Sequence, residues 1–218
     1  MVNQVNTVPT EEQRFMAYIG LMQWTEAVVT VGERIRQIDE QMTLRTQPNR
    51  SDWQTALRNF HTECHFFAIA AYKLLEYATW SRRLGLFRQV DFSAIDSFPA
   101  DRIRDLRNMR EHVVEYFKGA GNKRDRWFVT TPEFKADASS VVGTMIGGRL
   151  DWVAFSQAAE RLLPVLLAQP VPYPSLPLPP EHGGEVVGHD GAAPRTWRGP
   201  AGIKRAPDKH ASVCHVGR

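Results

Sequence analysis

Apolar positions along the chain fall into long helical rhythms, interrupted by one stretch of a different kind. Phe15, Ile19 and Met22, then Val28, Val31, Ile35, Ile38 and Met42, recur at three and four residues, the spacing of one helix face. Thr10 ahead of Glu11 and Glu12 supplies an N-cap with acids in the first turn, where the helix dipole favours them. The spacing predicts a first helix over residues 11–45, broken at Gln47-Pro48-Asn49. A second starts from a Ser51 cap and runs through Trp53, Leu57, Phe60, Cys64, Phe67, Ala71, Leu74 and Ala78. From Phe66 to Ala78 another face is apolar too, through Ala68, Tyr72 and Leu75. A helix apolar on two sides packs between neighbours, so this one is expected at the centre of the fold. Arg82 and Arg83 at its negative end, with Gly85 beyond, close it.

After a linker to Pro99, Asp101 opens a third helix that runs to Lys118 and stops at Gly119-Ala120-Gly121. Trp127–Thr131 and Val141–Ile146 are β-branched or aromatic runs with turn residues between them, which predicts a β-hairpin. Asp151 caps a fourth helix whose Val153, Phe155, Leu162, Leu163 and Leu166 face inward, with Pro164 set to kink or end its last turn. Long helices with short links pack as antiparallel neighbours. The expected fold is therefore all-α: an up-and-down four-helix bundle with a small β-hairpin between helices 3 and 4. Residues 1–9 are read as a flexible start and 10–168 as the folded domain. Residues 169–218 turn rich in Pro and Gly and lose periodicity. Such a stretch cannot bury enough apolar surface to offset its ordering entropy, and is read as disordered. Within it VPYPSLPLPP fits extended polyproline-like chain, and IKRAPDKH is mildly basic.

An apolar content of 43% supports a real core, and the net charge of +3 suits a protein that meets nucleic acid without requiring one. No apolar run approaches the ~20 residues that span a bilayer. The start MVNQVNTVPTEEQRF has no basic stretch followed by an apolar one, so no secretory signal is expected. Cys64 lies in a helical pattern and Cys214 in the tail, which argues against a structural disulfide and for the cytoplasm. There is no Gly-rich phosphate loop, no dinucleotide fingerprint, and no Ser or Cys nucleophile with a paired base.

Candidate chemistry concentrates in the third helix, DRIRDLRNMREHVVEYFKGAG. On a wheel of about 100° per residue, Ile103, Leu106, Met109, Val113, Val114, Tyr116 and Phe117 take one side. Arg104, Arg107, Asn108, Glu111, His112 and Glu115 take the other. Asn108 and His112 stack on one stripe, while Arg107 and His112 flank opposite edges of the polar face. RNA cleavage needs a base for the 2′-hydroxyl proton and a cation for the phosphorane. His titrates near neutrality and serves as that base, or as the acid for the leaving oxygen. Arg binds phosphate through a planar fork, Asn108 can orient either one, and the set needs no metal or other cofactor. The bland alternative is a solvated face laced by pairs such as Arg107–Glu111.

With Arg107, Asn108 and His112 spaced this way on a helix of a helical domain, the sequence resembles the HEPN superfamily. The resemblance implies a metal-independent endoribonuclease, a toxin or defence component acting on tRNA or mRNA, with an antitoxin as a further partner. It also implies a homodimer whose motif helices meet at one composite cleft. In it Arg107 would bind the scissile phosphate, His112 would move the proton and Asn108 would position them. Toxins of that family often carry Tyr two residues after the His; here that position is Val114 and the nearest tyrosine is Tyr116. The competing class is a non-catalytic dimeric interaction module of the same fold.

Other basic residues extend the candidate RNA surface: Arg104 on the same helix, then Lys118, Lys123, Arg124 and Arg126. Trp127 and Phe128 beside them either stack on unpaired bases or belong to the hairpin core. Arg110 falls inside the apolar arc, so it either faces RNA or a partner, or lays its stem on the core with its head in water. His61 and His65 stand at i and i+4 on the second helix without a third ligand. They are read as core or interface histidines, or as lining the cleft of His112.

Overall fold

The computed structural model describes residues 8–44, 49–120, 124–132 and 135–173, all within one unit of the chain. The segment Gln47-Pro48, Lys123 and the tail from residue 174, with Cys214 and IKRAPDKH, lie outside the described residues. The protein is mainly helical. α1 (Glu11–Leu44) and α2 (Arg50–Arg83) form its frame, and α3 (Ser93–Asp96), α4 (Ala100–Glu111), α5 (Val113–Phe117) and α6 (Trp152–Leu167) complete the helices. Among the described residues no helix is long and apolar enough to cross a membrane.

The helix ends follow local chemistry. Thr10 Oγ1 accepts from the Gln13 N–H and Gln13 Oε1 accepts from the Thr10 N–H, both at 3.1 Å, a reciprocal capping box at the start of α1. The cap of α2 is Asn49, whose side chain accepts from the Ser51 N–H, rather than Ser51 itself. α2 ends in a Schellman motif: Leu86 N–H reaches Ser81 O and Gly85 N–H reaches Arg82 O, with Gly85 in the left-handed region at φ 74°. Asp151 Oδ1 accepts from the Val153 and Ala154 N–H groups and starts α6. Pro164 does not stop α6, which runs on to Leu167, because a proline in the last turn forfeits only one intrahelical bond.

α1 and α2 run antiparallel: Ser81 Oγ donates to Ala17 O at one end, and Arg34 meets Glu63 toward the other. Glycines set their spacing. A Cβ on Gly20 would overlap the Tyr77 ring, and one on Gly32 would overlap Ser156 Oγ of α6. α2 carries α1 on one side and α4 on the other, which accounts for its two apolar faces. The core runs from Leu21, Ile35, Phe67 and Leu74 to Ile103, Leu106, Phe155 and Leu166. The first two turns of α2 are outside it: Trp53 is exposed and burial begins at Phe60, although the apolar rhythm starts at Trp53. The linker after α2 is anchored by Phe98, whose ring packs edge-on against Phe155 at 4.7 Å, and by Arg82, which forks onto Asp96 at 2.6 and 2.9 Å.

One sequence expectation is corrected. The strand-forming runs do not pair with each other. β1 (Phe128–Thr130) pairs with β2 (Lys135–Asp137), while β3 (Val141–Val142), β4 (Met145–Ile146) and β5 (Leu150–Asp151) form a separate antiparallel sheet. Each run finds a partner across a shorter loop, which costs less closure entropy. Residues 169–173 are ordered against α1, with Tyr18 Oη donating to Gln169 O and the Tyr173 ring 6.4 Å from Phe15.

The insertion, the segment between α5 and α6, docks on α4 and α5 at three points. Trp127 is buried and stacks on Tyr116 with ring centroids 4.8 Å apart. Gly147 packs over Leu106. Arg110 reaches under the loop 137–140, as described below. Gly147 has φ 55°, and a Cβ there would overlap Leu106 Cδ1 and lie 3.1 Å from Ala138 O. Gly147→Ala is therefore expected to cost about 2 kcal/mol, from left-handed backbone plus overpacking, as a lowered urea midpoint. An unchanged midpoint would mean that the insertion yields at no cost.

Candidate functional site

The polar face of α4 does not continue unbroken through the motif. His112 leaves helical geometry at φ −108°, ψ 28°, the sparsely populated bridge region, and α5 begins after it. The expected single helix over 101–118 is thus two segments jointed at the histidine. The joint keeps Asn108 and His112 together: His112 N–H still bonds Asn108 O at 3.1 Å, and both side chains line one cleft of about 480 Å³. Arg104, Asp105, Met109, Glu115 and Tyr116 complete its wall.

Within the cleft His112 is well exposed, and its Nδ1 lies 3.3 Å from Glu115 Oε1. A carboxylate on Nδ1 orients the ring and leaves Nε2 for chemistry. Glu115 was not singled out from the sequence as a site residue, yet its position three residues after His112 was the available signal. Arg104, exposed and paired with Asp101 at 2.8 Å, is the cation that lines this cleft. Arg107 is turned the other way. Its Nε meets Glu111 at 2.8 Å and its guanidinium lies 5.7 Å from the centre of the Tyr72 ring, so it packs toward α2. Asn108 links the two sides: Oδ1 accepts from Arg107 Nη1 at 2.9 Å while the residue lines the cleft of His112. The wheel's placement of Arg107 and His112 on opposite edges is what the side chains adopt.

This chain matches no family model, no curated protein and no solved structure. The residues and their surroundings carry the functional argument alone.

The remaining candidate RNA contacts divide. Arg110 is buried, not presented to a ligand. Its Nη1 donates to Ala138 O (3.0 Å) and Ser139 O (3.2 Å) and its Nη2 to His61 O (3.3 Å), tying the insertion to α2. Asp137 shapes that loop, accepting from the Ser139 and Ser140 N–H groups so that consecutive carbonyls turn inward. The rim position expected for Arg110, with its head in water, gives way to this burial. Lys118 is exposed at the end of α5. Arg126 is exposed and meets Asp105 at 2.9 Å. Arg124 begins a 3-10 turn over Arg124–Arg126. Trp127 belongs to the core, the second of the two alternatives for that pair, whereas Phe128 stays exposed.

His61 and His65 do not share the cleft of His112. They line a separate hollow with Arg110, Val113 and Ser139. Among the described residues no three His, Cys, Asp or Glu side chains gather as metal ligands. Cys64 beneath them is fully buried, and burial pushes its thiol up to about 12. Burial, and next the charge of Arg110, lowers the pKa of both histidines from 6.5, with Glu111 opposing at His65. The folded protein then binds fewer protons than the unfolded chain just below pH 6.5. Stability is expected to fall as pH drops through that value toward the lowered folded ones. Urea unfolding from roughly pH 7.5 to roughly pH 5.5 checks this: His61→Gln/His65→Gln should flatten the decline. An equal decline in both proteins would assign it to other groups.

Proposed function

We propose that the protein is a HEPN-like endoribonuclease that cleaves single-stranded RNA without a metal, its four main helices forming the family's bundle. The observation that carries this reading is Asn108, which lines the cleft of His112 and at the same time holds Arg107. The step that fits these groups is transfer within the RNA. His112 Nε2 takes the proton of the 2′-hydroxyl, whose oxygen bonds to the adjacent phosphorus as the bond from phosphorus to the 5′-oxygen breaks; the 5′-oxygen takes a proton from water, and His112 returns its own to solvent. The products are a 2′,3′-cyclic phosphate and a 5′-hydroxyl end. An arginine neutralises the extra charge of the phosphorane, and Glu115 holds the imidazole.

In one protomer Arg107 faces away from the cleft and Arg104 lines it. A second protomer would bring its own Arg107 to the scissile phosphate, the composite arrangement that the HEPN resemblance implies. Val114 and Phe117, 59% and 76% exposed beside His112, supply apolar area for such a seam. The runner-up, a dimeric module without chemistry, keeps that seam and uses His112 for nothing. Incubation of total RNA with the full chain and a chelator separates the two. Discrete fragments ending in cyclic phosphate support the nuclease, and intact RNA beside a folded dimer supports the module.

A further inference from the structure

A second cleft, of about 530 Å³, adjoins the first, with Asp105 as the wall between them. α4 contributes Arg102 and Asp105, the 3-10 turn gives Asp125 and Arg126, β1 gives Phe128, and the turn before β5 gives Arg149. Three guanidinium groups thus face two carboxylates. Arg126 is matched by Asp105. Arg149 donates to two carbonyls, Gly147 O at 2.8 Å and Arg126 O, which hold it in place without neutralising it. Arg102 makes no ion pair or hydrogen bond among the described residues, yet lies close enough to Arg149 for the like charges to disfavour each other. Burial is the larger reason that the pKa of Arg149 is lowered, with Asp105 opposing.

With three guanidinium groups against Asp105 and Asp125, and with Asp105 acting on Arg149 as well as on Arg126, the cleft keeps one cation in excess, which favours an anion. Beside them Phe128 is 55% exposed, and the Lys135 ammonium lies 5.3 Å from its centre. A cationic hollow with an open aromatic wall matches one repeating unit of a single strand: a phosphate and an unpaired base. We propose that this cleft is a subsite for a nucleotide neighbouring the one in the His112 cleft, with Arg102 and Arg149 on its phosphate and Phe128 stacked on its base. The choice of RNA as the strand rests on the function proposed above; the anion and stacking chemistry rests on this cleft. The subsite is built by the insertion, so its residues could not be grouped from the sequence of the helix alone.

The test is binding of a fluorescently labelled single-stranded oligoribonucleotide by full-length His112→Ala, followed by anisotropy over a series of salt concentrations. Arg102→Gln and Phe128→Ala are then added separately; both residues are exposed, and thermal unfolding verifies that each variant folds. Loss of Arg102 should weaken binding several-fold and reduce the salt slope by about 0.7, the share of one phosphate contact on a single strand. Loss of Phe128 should weaken binding about fivefold or more while leaving the slope unchanged. Affinity and slope that match the His112→Ala background in both variants would overturn the subsite, as would absence of binding by that background. Cleavage of total RNA by the unaltered chain is scored in parallel. Cleavage without any effect of the two variants on binding leaves the nuclease and removes the subsite. The expected binding losses without cleavage leave a strand-binding cleft and remove the nuclease.

Discussion

Replacing His112 with alanine is expected to slow RNA cleavage by about 10²–10⁴-fold, the contribution of a positioned proton-transfer group. The side chain is 57% exposed and its polar neighbour is Glu115, so the protein should keep its fold and its unfolding midpoint. Activity and stability therefore separate at this position, and a variant that loses both would point to damage instead of chemistry. Glu115→Gln preserves shape and removes the carboxylate at Nδ1, and should lose less than His112→Ala. Arg107 is a more demanding case, because its guanidinium also meets Glu111 and covers Tyr72. Arg107→Lys keeps a charge there and forfeits the planar fork, so the nuclease reading expects it to fall well below the parent. Mixing His112→Ala with Arg107→Ala protomers tests the composite cleft directly. Recovery of activity in the mixture requires that one protomer's arginine serve the other's histidine, and no recovery would place both in the same chain.

Arg110→Ala should be the most damaging substitution for stability, at about 3–5 kcal/mol, the range for breaking a buried charged hydrogen-bond set. Its removal strips the donors from the buried Ala138 O and from the part-buried Ser139 O and His61 O. Arg110→Lys is not a rescue, because an ammonium on a single stem cannot serve carbonyls on α2 and on the loop 137–140 together. Chemical unfolding measures the loss, and limited proteolysis locates it: new cuts should fall in the insertion, which Arg110 fastens, before they fall in α1 or α2. A loss below about 1 kcal/mol would mean that water replaces the guanidinium. Loosening of the insertion should also reach the second cleft, since Phe128 and Arg149 both belong to it.

The helices were legible because their signals are local. A repeat of three and four residues, a capping Thr10 or Asp151, and a Gly85 able to turn left-handed each act within one or two turns, so neighbouring residues suffice to specify α1, α2 and α6. The shared stripe of Asn108 and His112 was legible for the same reason, since a backbone bond four residues long holds it whatever packs nearby. Less was legible in the insertion, where strands of two or three residues carry too little pattern to name their partners. The register there depends on which segments meet in space.

What only the tertiary structure decided are the fates of side chains whose partners are distant in sequence. Arg110 reads as a misplaced charge until the loop 137–140 brings it two carbonyls. Trp127 and Phe128 read as a pair until Tyr116 covers one and the other is left more than half exposed. Arg107 and Arg104 look equivalent on a wheel, but the Tyr72 ring and Glu111 draw Arg107 toward α2 and leave Arg104 beside His112. Arg102 and Arg149 are 47 positions apart and become one cationic cleft only when the insertion folds over α4. Local sequence determines where a chain turns helical, since that free energy lies in bonds four residues long. Burial, pairing and the grouping of charges depend on contacts between elements, and those are defined only once the elements have packed.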